Sequence, residues 1–163
     1  MTIRDARPED VPAMVKLVEE ARQRMAKWQP QFWRKAKDSA SMSEGWFTML
    51  VGKDDVVTLV SEGEDGTVNG FLIASLQEPP PVYKPGGKTC VIDDFTVADD
   101  TLWADAGSGL LREALTQAAA SGAAQSVVIA PDAHTEKKKL LEREGLLLTS
   151  GWWTVPLLDP DKG

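Results

Sequence analysis

The sequence predicts an α/β protein: a single domain over residues 1–163 in which a central mixed sheet carries helices on both faces. Three observations predict it. Apolar runs of strand length recur through the chain, stretches of helical spacing lie between them, and no composition break marks a second domain. The strands come first as a meander and later alternate with helices, in the order β-α-α-(α)-β-β-β-α-β-α-β.

Thr2 to Ala6 alternates and reads as the first strand. Arg7-Pro8-Glu9-Asp10 then forms a turn, with two acids at a helix start where the macrodipole favours them. Val11, Met14, Val15, Val18 and Met25 lie near helical spacing, so a helix runs to about Lys27, with Pro12 tolerated in its first turn. Pro30 ends that region, Gln31 to Lys35 suggests a short second helix, and Glu44 to Val51 a third with Trp46, Phe47 and Leu50 together. Val56 to Ser61 and Val68 to Leu76 read as an antiparallel pair across the polar turn Glu62 to Thr67. Glu78 to Lys88, rich in proline and glycine, is a stiffened loop before a strand over Thr89 to Val97.

Leu102 to Gly109 reads as a loop ending in glycines. Leu110, Leu111, Ala114, Leu115 and Ala118 form the stripe of a helix that stops near Gly122. Gln125 to Ala130 is a continuous apolar run, the pattern of a strand buried on both faces. Thr135 to Glu144 is a basic amphipathic helix closed by Gly145, and Leu146 to Leu157 reads as the last strand.

Composition excludes several classes. A formal charge of −7 argues against a basic nucleic-acid-binding face. No apolar run approaches the roughly 20 residues of a membrane helix, and the N-terminus lacks a signal-peptide pattern. Cys90 is the single cysteine and His134 the single histidine, so neither an intramolecular disulfide nor an ordinary zinc site can be built. A cytoplasmic protein without metal is the resulting expectation.

The informative stretch is Cys90-Val91-Ile92-Asp93-Asp94-Phe95-Thr96-Val97, followed after a loop by Ala106-Gly107-Ser108-Gly109-Leu110-Leu111. A strand leading through a glycine turn into a helix N-terminus gathers free N–H groups and the helix dipole, and Gly107 and Gly109 let backbone approach a phosphate. A plain turn with a helix start explains the same residues.

These segments, in this order, resemble the GNAT superfamily of N-acetyltransferases. So do the opening Ile3-Arg4-Asp5-Ala6-Arg7-Pro8-Glu9-Asp10-Val11, the ending Glu142-Arg143-Glu144-Gly145-Leu146 and the final Trp152-Trp153-Thr154-Val155-Pro156-Leu157. The resemblance spans essentially the whole chain. It implies the GNAT acyl-CoA N-acyltransferase fold, acetyl-CoA as co-substrate, and transfer of its acetyl group to a primary amine by direct attack. It places pantetheine between Phe95, Thr96 and Val97 on one strand and Ser126 to Ala130 on the next. It rests the pyrophosphate on Ala104, Asp105, Ala106, Gly107, Ser108 and Gly109. One N–H of the first strand then polarises the thioester carbonyl.

Simple strand alternation sets Asp93 on the face of Phe95 and Val97 and turns Asp94 away. With the resemblance, this makes Asp93 the expected catalytic base; a structural acceptor for loop N–H groups is the other reading of the same residue. Asp94 reads as structural or solvated. His134 stands where relatives carry an asparagine on the cofactor arm, and a surface or helix-capping histidine explains it too. Lys137, Lys138 and Lys139 either meet cofactor phosphates or form a solvated helix face.

Two positions depart from the family's pattern. Ala104, followed by Asp105, stands where relatives carry Arg or Gln, and Leu141 stands where they carry the tyrosine that protonates the departing thiolate. Tyr83, the single tyrosine, is a replacement acid or a packing lid. These departures keep open an alternative: a non-catalytic acyl-CoA or small-ligand binding domain acting as sensor or partner. For the acceptor, a small-molecule or peptide amine, Trp28, Phe32, Trp33 and Tyr83 either wall an aromatic pocket suited to an ammonium group or seal the core. Relatives commonly form homodimers, although no isolated apolar helix face demands one here.

Overall fold

The computed structural model describes residues 1–157. Among the described residues, five strands form one sheet in the order β1-β2-β3-β4-β5: Thr2–Asp5, Val56–Glu62, Val68–Gln77, Lys88–Val97 and Ala123–Val128. The first three pairings are antiparallel and β4 runs parallel to β5, so the sheet is mixed, as the meander followed by alternation required. Parallel neighbours need a crossover, and α3 (Ala106–Ala120) supplies it.

Helices α1 (Val11–Trp28) and α2 (Ser39–Leu50) cover one face of the sheet, and α3 and α4 (Thr135–Arg143) the other. The period-2 alternation of the strands makes both layers possible. In β3, Phe71 and Ile73 meet Met14, Phe47 and Leu50, while Leu72 and Ala74 meet Leu110, Leu111 and Ala114. Every one of these side chains is buried. At the entry to the first layer Arg4 donates to Asp10 at 2.7 and 2.9 Å and to Glu62 at 2.8 Å. The guanidinium beside it lowers the pKa of the buried Asp10 carboxyl.

Several sequence expectations need correction. Gln31 to Lys35 forms no helix; residues 30–33 make a turn, with Trp33 N–H donating to Gln29 O at 3.0 Å, because Pro30 interrupts the ladder. Helix α2 begins five residues before Glu44, and its buried face is Ser43, Phe47 and Leu50, with Trp46 52% exposed on the solvent side. The apolar spacing read from Trp46 was one position out of phase with the helix. At its other end the chain closes α4 as expected: Gly145 has φ +84°, and Leu146 N–H returns to Leu141 O at 2.9 Å.

The expected last strand does not join the sheet. Residues 147–157 form no ladder, and Trp152, Trp153, Val155 and Leu157 are exposed. Among the described residues strand β5 therefore has no partner on its outer side and is an edge strand, and it is not buried on both faces, since Val127 and Ile129 are exposed.

Where β4 begins, Lys88 N–H bonds Gly122 O at 3.0 Å, and a Cβ on Gly87 would meet that same oxygen at 2.5 Å. Backbone offers no side chain to swing aside. Gly87→Ala is expected to cost about 1–3 kcal/mol, read as a lowered midpoint in thermal unfolding; an unchanged midpoint would mean the loop relaxes freely at this point.

Candidate functional site

Strands β4 and β5 pair from Lys88↔Ala123 to Ile92↔Val128, with a last bond from Ile129 N–H to Ile92 O at 2.9 Å. Beyond Ile92 the ladder between them stops, while β4 continues along β3 as far as Val97. The two parallel strands thus part at residue 93, and a fork opens between Phe95 and Ile129.

A β-bulge sits at the parting. Ala74 pairs with Ile92 and Ile73 with Asp94, so Asp93 has no partner on β3. The extra residue shifts the side-chain alternation by one. Ile92, Phe95 and Val97 all pack into the α3–α4 layer, and Asp94 opposite Ile73 turns to the α1–α2 face. Simple alternation, which grouped Asp93 with Phe95 and Val97, is corrected here because it counts no bulge. Asp93 is exposed, and its Oδ1 accepts from Asp94 N–H at 2.9 Å. Asp94 is half-buried. Burial, and then the Asp93 carboxylate beside it, push its pKa up to about 6, with Arg22 of α1 and Lys137 of α4 pulling the other way.

Lys137 occupies the fork. Its Nζ donates to Phe95 O at 3.0 Å and Ile129 O at 2.9 Å, one carbonyl from each strand. It also lies 4.9 Å from the Phe95 ring centroid and 5.7 Å from that of Trp103. At 3% exposure this is not a solvated lysine, and burial pushes its pKa down to about 7 against the pull of Asp94 and Asp93. Of the three lysines, Lys138 and Lys139 are the surface members, paired with Asp132 and Glu136.

The expected phosphate turn is tighter than the sequence suggests. Asp100–Trp103 forms a 3-10 turn and α3 starts at Ala106, so Gly107 and Gly109 lie inside the helix. Their missing side chains serve packing: a Cβ on Gly107 would meet the Trp103 indole at 2.8 Å, and one on Gly109 would meet Ile3 at 3.0 Å. Ala106, Gly107 and Ser108 are buried, and Ser108 Oγ donates to Glu144 at 2.5 Å. Ala104 and Asp105 are exposed. Arg143 donates to Ala104 O at 3.0 Å, which sets a guanidinium beside the position that lacks one.

His134, at the start of α4, is largely enclosed between Trp28 and Trp103, at ring separations of 5.2 and 5.1 Å. Burial holds its pKa below the usual imidazole value, although Nε2 is 3.5 Å from Asp100 Oδ1. Of the aromatic residues expected near a substrate, Trp28 reaches this cluster. Trp33 meets Phe32 edge-on, and Phe32 in turn meets Trp152 edge-on. Tyr83 lies with Pro79, Lys84 and Gly122 around a cavity at the Lys88 end of β4, away from the fork. Thr96, buried, completes the strand beside Phe95 and Val97.

No protein-family model matches the chain, and no curated protein matches it by sequence. Solved structures do match. A four-site mutant of a Bacillus halodurans protein superposes with TM-score 0.83 at 18% identity, covering 96% of this chain and 100% of that one. A ribosomal-protein-alanine N-acetyltransferase from Brucella melitensis biovar Abortus 2308 gives TM-score 0.68 at 17% identity over 96% and 100%. A predicted acetyltransferase of Clostridium acetobutylicum with acetyl-CoA gives 0.69 at 14% identity over 96% and 96%. The chain has the GNAT acyl-CoA N-acyltransferase fold. Sequence reasoning named Lys137 only with Lys138 and Lys139, for cofactor phosphates or a solvated face, and gave Trp103 and Arg143 no place beside the fork. The signal for Lys137 was available: it stands between Glu136 and Leu140 on the stripe that must face the sheet, three residues from a buried leucine.

Proposed function

We propose that the protein is an N-acetyltransferase that moves an acetyl group from acetyl-CoA to a primary amine, with Asp94 as general base. The observation that carries this reading is the parted pair β4 and β5 with a half-buried carboxylate, raised to about 6, at the point of parting. Such a group is ionised at neutral pH yet basic enough to take a proton from an attacking ammonium.

The residues present fit the co-substrate in two respects. Phe95 O, buried, and Ile129 O, part-buried, are acceptors on opposite sides of the fork, suited to the amide N–H groups of an extended pantetheine arm once Lys137 releases them. The N-terminus of α3 supplies the dipole for a pyrophosphate, and Arg143 supplies a cation beside it. Asp105, with no capping bond of its own, adds like charge at the same place and lowers the expected affinity. Asp93 keeps the base role open to test, since it is the neighbour that raises Asp94. Trp28 and Trp33 belong to the acceptor side in this reading, and His134 lines the cofactor arm.

A second reading, a binder of acyl-CoA or another small ligand without turnover, is favoured by one observation: Lys137 and Trp103 fill the fork. Calorimetric titration with acetyl-CoA, followed by thiol release in the presence of amines, separates the two. Binding with release supports the enzyme, and binding without release supports the binder. No binding at millimolar acetyl-CoA would sink both. Arg143→Ala is expected to weaken acetyl-CoA about tenfold, as loss of one exposed charge-assisted contact would. S-acetylpantetheine, which lacks the pyrophosphate, should bind both proteins alike; equal weakening of the two ligands would remove Arg143 from the phosphate site.

A further inference from the structure

Lys137 has no part in the base chemistry above, yet its Nζ lies in the fork between the carbonyls of Phe95 and Ile129. Its ammonium is buried between two neutral carbonyls and two ring faces, with no carboxylate among its hydrogen-bond partners. An ammonium is an expensive way to fill such a space, since a Met of similar length would pack there without desolvating a charge.

We propose that Lys137 Nζ is the proton donor to the sulfur that leaves when the acetyl group is transferred, a role that rests on the acetyl-transfer reading. Position carries the argument. The oxygens of Phe95 and Ile129 flank the slot between the parted strands, and Nζ lies between them. Entry of the pantetheine arm takes these carbonyls from Nζ, whose flexible four-carbon stem lets it stay at the fork. There the developing thiolate becomes its partner. Of the other candidate acids, His134 is nearby, but burial and the Lys137 charge hold its pKa below the usual imidazole value, so it carries little proton to give at neutral pH. Leu141 is aliphatic, and Tyr83 borders the cavity at the far end of β4.

The proton balance closes without a further reactant. The amine nitrogen forms a bond to the acetyl carbon and Asp94 takes its proton. As the tetrahedral adduct collapses, the carbon–sulfur bond breaks with its electron pair on sulfur, and an Nζ–H proton passes to that sulfur. Lys137, now neutral, regains a proton as Asp94 releases one, leaving amide and thiol. Proton affinities suit both steps: Lys137 near 7 gives up a proton far more readily than a surface lysine.

The titratable groups facing Nζ are Asp94 and Asp93 from β4 and His134 at the start of α4. Arg22 of α1 acts on Asp94, and Trp103 and Phe95 present only rings. Ionised Asp94 and protonated Lys137 coexist best between about 6 and about 7, so the rate with an amine should peak there and fall on both sides.

The test uses the whole protein with acetyl-CoA and hydroxylamine, a small nucleophile that is uncharged at neutral pH and needs neither Asp94 nor an acceptor pocket. Thiol release and acetyl-CoA affinity are measured for wild type, Lys137→Met and Lys137→Arg. The arginine variant keeps the charge but holds its proton too tightly to give it up. Both variants are expected to bind acetyl-CoA and to release thiol about 100-fold more slowly, without the falling limb near pH 7. If Lys137→Met does not fold, the arginine variant decides alone. Release at the wild-type rate by either folded variant overturns the acid role while acetyl transfer stands. Wild type that binds no acetyl-CoA overturns the underlying reading instead, and is recognised because binding, not rate, is missing.

Discussion

Asp94→Asn is expected to slow acetyl transfer to an amine by about 10²–10⁴-fold and, at the same time, to make the protein more stable at neutral pH. The two effects have one origin. Asp94 lies on the bulged strand against the α1–α2 layer, where burial and Asp93 raise its pKa from the ordinary 3.8 to about 6. A carboxyl whose folded value exceeds its unfolded value contributes stability that is fully present below about 4. That contribution is lost as pH rises through about 6, where the native state must carry the charge. The loss amounts to at most about 3 kcal/mol between those limits. Asparagine carries no charge, so thermal unfolding of the variant should lack this decline. The rate is measured as thiol release with a panel of free amines, and the melting temperature at pH 4.5 and 7.5. A variant with unchanged rate would remove Asp94 as the base, and Asp93→Asn would then test the residue that sequence alternation favours.

Trp103→Ala should be the most damaging single truncation near the fork, at about 3–5 kcal/mol. The indole is 2% exposed and meets Phe95 edge-on at 5.0 Å and His134 at 5.1 Å. It also occupies the space that Gly107 leaves in the first turn of α3. Removing it takes one wall from Lys137, uncovers His134, and leaves a hollow that helix glycines cannot fill by shifting a side chain. Urea unfolding gives the loss directly, and a cost under about 1 kcal/mol would mean that the turn collapses onto the gap. Because Trp103 lines the fork, the variant should also bind acetyl-CoA differently from wild type, which calorimetry would read.

Much of this architecture was legible in the residues. The meander of β2 and β3, the crossover through α3, and Gly145 closing α4 each follow from a local pattern that the tertiary structure does not contest. Errors arose where a long-range partner decides the outcome. Whether Leu146 to Leu157 pairs depends on the outer edge of β5, not on its own apolar content. Helix α2 starts at Ser39 without an apolar stripe to announce it, since its first buried residue is the polar Ser43, bonded to Arg22 at 2.6 Å. The glycines of α3 read as phosphate glycines because spacing alone cannot tell a close ligand from a close indole. At the candidate site the sequence singled out the strand that parts from its neighbour but grouped its two acids by strict alternation, and only the register with β3 shows the extra residue.

That extra residue has an evolutionary corollary. Adjacent acids in a strand normally serve opposite faces; here the bulge takes Asp93 out of the alternation while Asp94 keeps the face opposite Phe95. A reactive carboxylate can therefore hold its place in space while its position along the chain drifts by one. Aligning such chains column by column would pair Asp93 with residues that occupy the place of Asp94, and superposed backbones are the sounder guide to which acids correspond.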